Sequence, residues 1–132
     1  MTAIFESRER AEDATEKLKV YAQPQRLMIM SYLLQGESTV SEIDDATGIG
    51  QPALSQQLAA LRRSEVVQTR RDGKQIWYDL ADDTIRLCVR TMEALLIDKP
   101  DPQSVLEAAT SQDLSATKQS TGIGTAGFAR IL

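Results

Sequence analysis

A two-residue turn at Asp72-Gly73 constrains the fold of this chain more than any other local feature. The runs on either side, residues 66–71 and 74–80, are rich in residues that favour β-strands. An Asp-Gly pair fits a tight hairpin turn because both central positions need a positive φ. The sequence therefore predicts a β-hairpin of two strands. Because side chains alternate along a strand, we expect one of the neighbours Trp77 and Tyr78 to enter the core.

Apolar residues at helical spacing predict helices before and after this hairpin. Residues 6–22 have the spacing of an amphipathic helix, and residues 26–34 are apolar on nearly every face, as a buried helix is. After the hairpin, Asp82 and Asp83 favour a helix start through the helix dipole. Apolar side chains then recur at intervals of three and four over residues 85–96. The predicted fold class is mainly α (α+β).

Two short helices are predicted between the buried helix and the hairpin. Thr39 and Glu42 form a capping-box pattern, and Gly48 can end the first short helix in a left-handed conformation. Residues 48–50 form the turn, and Pro52 is acceptable at the start of the next helix. The predicted inward-facing residues are Val40, Ile43 and Ala46 in the first helix and Leu54, Leu58 and Leu61 in the second. The order of the predicted helices and the hairpin along the chain is that of a winged helix-turn-helix, in which the hairpin is a two-stranded wing.

The chain length favours one domain with an appendage. Of the 132 residues, 1–98 are assigned to a winged helix-turn-helix domain for DNA binding and dimerisation, and 99–132 to a weakly structured extension. Residues 103–109 can form one or two helical turns, whereas ten of the 18 residues from 110 to 127 are Ser, Thr or Gly. No apolar run has the length of a membrane span and no leader is apparent. We expect a cytoplasmic protein without membrane contact.

The side chains that most enzymes and metal sites use are scarce. The sequence has no His and one Cys, which removes the commonest general base and metal ligand and precludes an intrachain disulfide. Adjacent carboxylates at 44–45 and 82–83 suit helix termini better than catalysis, because neighbouring helical residues point about 100° apart. The glycine-rich string at 122–127 lacks the strand and helix of a dinucleotide site. We expect no enzyme, no metal and no cofactor.

Basic side chains are concentrated in one window of an acidic chain. The formal net charge is −4, yet residues 52–77 hold five of the 15 basic residues against two acidic ones. A local basic face orients a protein toward a polyanion while the remainder is repelled, although a solvated positive surface is the alternative. The five basic residues are Arg62, Arg63, Arg70, Arg71 and Lys74.

Element order and charge together predict a surface for double-stranded DNA. The second helix of a helix-turn-helix, the recognition helix, lies in the major groove, where its first polar residues reach base edges. Basic side chains near the wing suit phosphates or a minor groove. The candidate DNA contacts are Gln51, Pro52, Ser55, Gln56, Arg62, Arg63, Arg70, Arg71 and Lys74. An ordinary exposed helix face is the alternative explanation for the polar residues.

Three segments of the chain resemble the ArsR/SmtB family of bacterial winged-helix transcriptional repressors. They are Pro24-Gln-Arg-Leu27, Ile49-Gly-Gln-Pro-Ala-Leu-Ser-Gln-Gln-Leu58 and Val67-Gln-Thr-Arg-Arg-Asp-Gly-Lys-Gln-Ile-Trp-Tyr78. The similarity covers roughly residues 10–97 and, within the family, is to the biofilm growth-associated and nodulation repressors. The resemblance implies a homodimer joined through its first and last helices, a palindromic operator, and an inducer that alters DNA binding.

The residues that this family uses for sensing are missing from the chain. Metal-sensing members use Cys pairs or sets of His and carboxylates, and the chain has no His. Sulfide-responsive relatives carry one Cys in the second helix and one after the last helix. Ser31 stands in the first place and residues 96–97 in the second. Cys88 lies on the apolar stripe of the last helix, where it is either a packed small side chain or a thiol sensor.

The sequence thus predicts a sequence-specific DNA-binding transcriptional regulator, a homodimeric repressor on a palindromic operator. A response to redox conditions or reactive sulfur is left open, and the inducer is unknown. The alternative is a winged-helix protein-interaction module, in which the basic hairpin binds an acidic protein. A sequence preference in DNA titrations discriminates the regulator from the module.

Overall fold

The structure is a computed structural model that describes residues 3–97 and 101–116. A short 3-10 turn, Ile4–Glu6, precedes the first α-helix. The further elements are α1 (Arg8–Tyr21), α2 (Pro24–Leu33), β1 (Ser38–Thr39), α3 (Val40–Thr47), α4 (Ala53–Arg63), β2 (Val67–Asp72), β3 (Gln75–Leu80), α5 (Asp83–Leu96) and α6 (Pro102–Ala116). The predicted fold class, mainly α with a winged helix-turn-helix, is confirmed.

Local side-chain caps explain where several helices begin. The Thr39 hydroxyl accepts a hydrogen bond from the backbone N–H of Glu42, and the Glu42 carboxylate accepts one from the N–H of Thr39, which completes the predicted capping box of α3. The Asp82 carboxylate accepts from the N–H of Ile85, at 2.9 Å, at the start of α5. Asp82 is therefore a helix cap, as the sequence indicated, because its carboxylate satisfies an otherwise unpaired donor.

The sheet has three antiparallel strands in the order β1-β3-β2. Strands β2 and β3 form the predicted hairpin, but its turn is Gly73-Lys74 and not Asp72-Gly73, because Asp72 still pairs with Gln75. Gly73, with a φ of +65°, occupies the first central position, where a tight hairpin turn accepts a glycine. The two-stranded wing is thus present, and β1 adds a third strand on the other side of β3. The sequence did not predict β1 because two residues are too few to show alternation.

The core lies between α2, the two short helices and the sheet. Leu54, Leu58 and Leu61 of α4 are buried, as predicted, together with residues of α2, α3, both wing strands and α5. Ile43 is buried and Val40 is half-buried, but Ala46 is exposed, contrary to prediction. Since an alanine side chain extends one carbon from the backbone, α3 packs through the longer Val40 and Ile43 instead.

Residues 102–116 form a longer helix than the sequence indicated. We predicted one or two turns over 103–109, whereas α6 spans 15 residues and buries Ala109. The helix packs against α5, and a groove of about 570 Å³ between them is lined by apolar residues such as Leu87, Val105 and Leu106. Contact with α5 stabilises a segment whose own pattern is weak. The glycine-rich string at 122–127 lies outside the described residues, and the domain boundary at 98/99 stays a prediction.

Candidate nucleic-acid interface

The turn between α3 and α4 is fixed by one glycine and one carboxylate. Gly48 ends α3 with a φ of +68°, a left-handed conformation that L residues with side chains rarely adopt. The Asp44 carboxylate then accepts a hydrogen bond from the N–H of Gly50, at 2.8 Å. Asp44, which the sequence indicated only as part of a solvated helix terminus, therefore sets the angle at which α4 leaves the turn.

Gln51 has a structural role that the sequence analysis missed. Its side-chain carbonyl accepts hydrogen bonds from the backbone N–H of Ser55, at 3.0 Å, and from the Ser55 hydroxyl, at 2.7 Å. Gln51 thereby caps the first turn of α4, where Pro52 supplies no side-chain hydrogen bond. Gln51 is exposed, and its amide NH₂ has two donors that these hydrogen bonds do not use.

The four candidate residues at the start of the recognition helix, α4, and in the turn just before it are exposed to solvent. Gln51, Pro52, Ser55 and Gln56 are all exposed, and the leucine stripe of the same helix is buried. This division follows from helical periodicity, because residues three and four apart share one face. The polar face is therefore accessible while the leucines hold the helix against the core.

The wing tip meets α3 and the turn before α4 at a shared polar cleft of about 520 Å³. We call it the wing cleft; it is lined by Val40, Ser41, Asp44, Gln51, Lys74, Gln75 and Ile76. The cleft brings Gln51, at the start of the helix, and Lys74, at the wing tip, to one surface. Sequence spacing alone could not show this juxtaposition, since the two residues belong to different elements.

Four of the five predicted basic contacts are exposed and form no ion pair within residues 3–97 and 101–116. Arg62 and Arg63 end α4, Arg71 lies on β2, and Lys74 lies in the wing turn. Unpaired exposed guanidinium and ammonium groups are available for phosphates. Contact of these four residues with DNA stays a prediction.

Arg70 differs from the other basic residues because its guanidinium already has partners. Its Nε donates to Glu37 Oε2 at 2.8 Å, and its Nη2 donates to the other carboxylate oxygen of Glu37. A carboxylate oxygen of Asp72 lies 3.8 Å from Nη1. The hydrogen bond to Glu37 raises the pKa of the Arg70 guanidinium. A phosphate at this position would compete with two carboxylates.

The two aromatic residues of β3 divide as the alternation predicts. Tyr78 packs against the buried core, while Trp77 lies beneath Arg70, with the guanidinium carbon 5.4 Å from the ring centroid. The indole N–H of Trp77 is buried and has no hydrogen-bond partner in the part of the chain that the structure describes. Trp77 is therefore packed within the sheet, and its ring face holds the guanidinium.

The single thiol lies between the first and last helices of the winged-helix domain. Cys88 on α5 is half-buried and interacts with Tyr21 on α1. Burial, together with the proximity of Cys88, raises the pKa of the Tyr21 hydroxyl to about 12. The candidate thiol sensor therefore has partial access to solvent, and its role stays a prediction.

The structure and the sequence were compared with known proteins. A family model described as "Bacterial regulatory protein, arsR family" matches residues 23–69. The chain is 48% identical over 73 residues to the biofilm growth-associated repressor of Xylella fastidiosa, a match that covers 55% of this chain and 64% of that protein. The corresponding repressor of Agrobacterium fabrum is 46% identical over 86 residues, or 65% of this chain and 71% of the relative.

Solved structures agree with these sequence matches. The transcriptional repressor BigR from Xylella fastidiosa superimposes with a TM-score of 0.66 at 37% identity, covering 74% of this chain and all (100%) of that chain. HlyU from Vibrio cholerae superimposes with a TM-score of 0.64 at 30% identity, covering 70% of this chain and 100% of the HlyU chain. The family model covers the chain from α2 into β2 and so includes the helix-turn-helix, and the structural matches cover a larger share of the chain.

Proposed function

The chain belongs to the arsR family of bacterial regulatory proteins, and on that premise we propose that it is a homodimeric transcriptional repressor that binds a palindromic operator in double-stranded DNA. The role is non-enzymatic and cytoplasmic. Relatives named as repressors support it, as does the exposed polar start of α4. Phosphate contacts give such a protein much of its affinity, and base contacts give its specificity.

The observation that carries this proposal is the exposed polar start of α4 beside the wing cleft, where Gln51, just before the helix, and Lys74, at the wing tip, lie on one surface. An α-helix fits the major groove of B-DNA, and its first residues then face the base edges. In our proposal Ser55 and Gln56 contact bases, and the free amide of Gln51 contacts a base or a phosphate. Pro52 packs at the groove edge, and the four exposed basic residues without an ion pair in the described part of the chain contact the flanking phosphates: Arg62, Arg63, Arg71 and Lys74.

Apolar side chains exposed on the first and last helices of the domain support the homodimer. Leu18 on α1 is 63% exposed, and Leu96 and Ile97, at the end of α5, are 71% and 76% exposed. Large apolar side chains exposed in this way favour association with a second copy. Two recognition helices related by twofold symmetry would enter successive major grooves about 34 Å apart, which requires a palindromic operator. Sizing at micromolar concentration tests this part, and a monomer would contradict it.

Cys88 is the candidate thiol sensor of this proposal. The residue lies at the contact of α1 with α5, the two helices assigned to the dimer interface. Oxidation of a thiol there would change how these helices pack and hence the spacing of the recognition helices. No metal site enters the proposal, and the inducer is left unspecified.

A titration with two DNA fragments tests the proposal. Labelled DNA from upstream of the gene for this chain is compared with a scrambled fragment of equal length and composition, at low salt. We expect tighter binding of the upstream fragment, and a reduced ratio between the two fragments in the Gln56→Ala variant. Equal, negligible binding of both fragments would contradict the proposal and favour the protein-interaction module.

A further inference from the structure

Alternation along the wing places its two adjacent arginines on opposite faces. Arg71 is paired with Ile76, and Arg70 is paired with Trp77. Because paired residues of antiparallel strands project to the same face, Arg71 shares its face with Ile76, which lines the wing cleft. Arg70 lies on the other face with Trp77. The two residues therefore have different surroundings although they are neighbours in sequence.

The Arg70 side chain crosses the sheet. Trp77 on the central strand is paired with Arg70 on one side and with Thr39 of β1 on the other. Glu37, which accepts both hydrogen bonds from Arg70, lies two residues before Thr39. The guanidinium thus passes over the Trp77 ring and connects β2 to the residue that directly precedes β1. We call the three residues Glu37, Arg70 and Trp77 the wing clamp.

The wing clamp adjoins the start of the helix-turn-helix. Thr39 both pairs with Trp77 and caps α3, so the segment held by Glu37 leads directly into the helix-turn-helix. A two-stranded hairpin alone has marginal stability in water and needs a third strand or further packing to hold one orientation. A paired guanidinium–carboxylate contact has a fixed geometry that a single exposed ion pair lacks.

We propose that Arg70 is a positioning residue that holds the wing against the helix-turn-helix through Glu37 and Trp77, and that Arg71 and Lys74 contact the DNA phosphates instead. The part of the inference that concerns Arg71 and Lys74 rests on the proposed DNA binding. It revises the expectation from sequence, in which Arg70 and Arg71 were equivalent phosphate contacts.

The salt dependence of DNA binding distinguishes the two arginines. Each phosphate contact contributes about 0.9 to the slope of log affinity against log salt concentration. We expect Arg71→Ala to lower the slope by about one contact. We expect Arg70→Ala and Glu37→Gln to weaken binding at every salt concentration and to leave the slope unchanged. A slope that falls as much in Arg70→Ala as in Arg71→Ala would overturn the proposal.

Trp77 gives a second signal that does not depend on DNA. It is the only tryptophan in the chain, so intrinsic fluorescence reports on the clamp directly. The emission spectrum of the free protein should change in Arg70→Ala and in Glu37→Gln but not in Arg71→Ala. An unchanged spectrum in both clamp variants would overturn the positioning role. If wild type binds no DNA, the proposed function fails, and this spectrum still decides the clamp.

Charge exchange and a conservative variant complete the test. Arg70→Glu should weaken DNA binding, and Glu37→Arg added to it should restore most of the loss, because the pair is re-formed in reverse. A phosphate contact by residue 70 predicts no rescue, since a carboxylate would still face the DNA. Should Arg70→Ala unfold, Arg70→Lys keeps the charge but not the paired geometry. It should bind DNA more weakly with altered fluorescence, and wild-type binding by Arg70→Lys would refute the clamp.

Discussion

Replacement of Leu58 by alanine tests how the recognition helix is held. Leu58 is 2% exposed and lies at the centre of the leucine stripe of α4, against the buried residues of α2. The change removes three carbon groups at about 0.8 kcal/mol each, or about 2.4 kcal/mol of transfer free energy. A residual cavity adds to this loss, so we expect about 3 kcal/mol in the free energy of unfolding. The midpoint of thermal unfolding should fall by roughly 10 °C or more.

Gln56→Ala is the matched control for this prediction, since Gln56 lies on the exposed face of the same helix. We expect a change within about 0.5 kcal/mol in its unfolding free energy, together with an altered base preference in DNA binding. Both variants are compared with wild type by urea unfolding followed by circular dichroism at one fixed protein concentration. Equal losses in the two variants, or a loss below about 1 kcal/mol in Leu58→Ala, would refute the orientation described for α4.

Three further predictions concern other parts of the domain. The raised pKa of Tyr21, from 10.0 to about 12, means that the neutral hydroxyl favours the folded state, so its contribution is complete below pH 10 and lost as the pH rises toward 12. After a discount for partial solvent exposure, this contribution to the free energy of unfolding is about 1 kcal/mol. Unfolding experiments at a series of pH values should detect its loss in wild type and not in Tyr21→Phe. Thr39→Ala removes one half of the capping box and should lower the unfolding free energy by about 1 kcal/mol, whereas Ser41→Ala, on the exposed side of α3, should have little effect. Cys88→Ser should abolish any loss of DNA binding caused by peroxide or polysulfide, and unchanged wild-type binding under these oxidants would exclude the thiol sensor.

The helix-turn-helix and the hairpin could be predicted from the sequence because their signals are local. Thr39 and Glu42 are three residues apart, Gly48 ends α3 by its own conformational freedom, and Asp72-Gly73 locates the hairpin turn to within one residue. The leucine stripe of α4 is likewise a repeat within one helix. Each of these patterns determines its structure without a contribution from distant residues.

The parts that the sequence did not predict depend on tertiary contacts. The hydrogen bonds of Arg70 to Glu37 join residues 33 positions apart, and neither residue type indicates the other as its partner. Strand β1 is defined by its pairing with β3, and α6 is supported by α5. The Gln51 cap is the local exception: its partner Ser55 is four residues away, but the sequence indicated Gln51 only as a base contact because glutamine is not among the residues that usually cap helices. Composition and spacing carry no record of such pairings.

Hydroxyl-radical footprinting of the protein on its upstream DNA tests the central claim most directly. The claim is that two copies present their recognition helices to successive major grooves of one duplex. It predicts two protected regions related by twofold symmetry and centred about 10 base pairs apart, both lost when the operator is scrambled. A single protected region, or uniform protection that is independent of sequence, would contradict it.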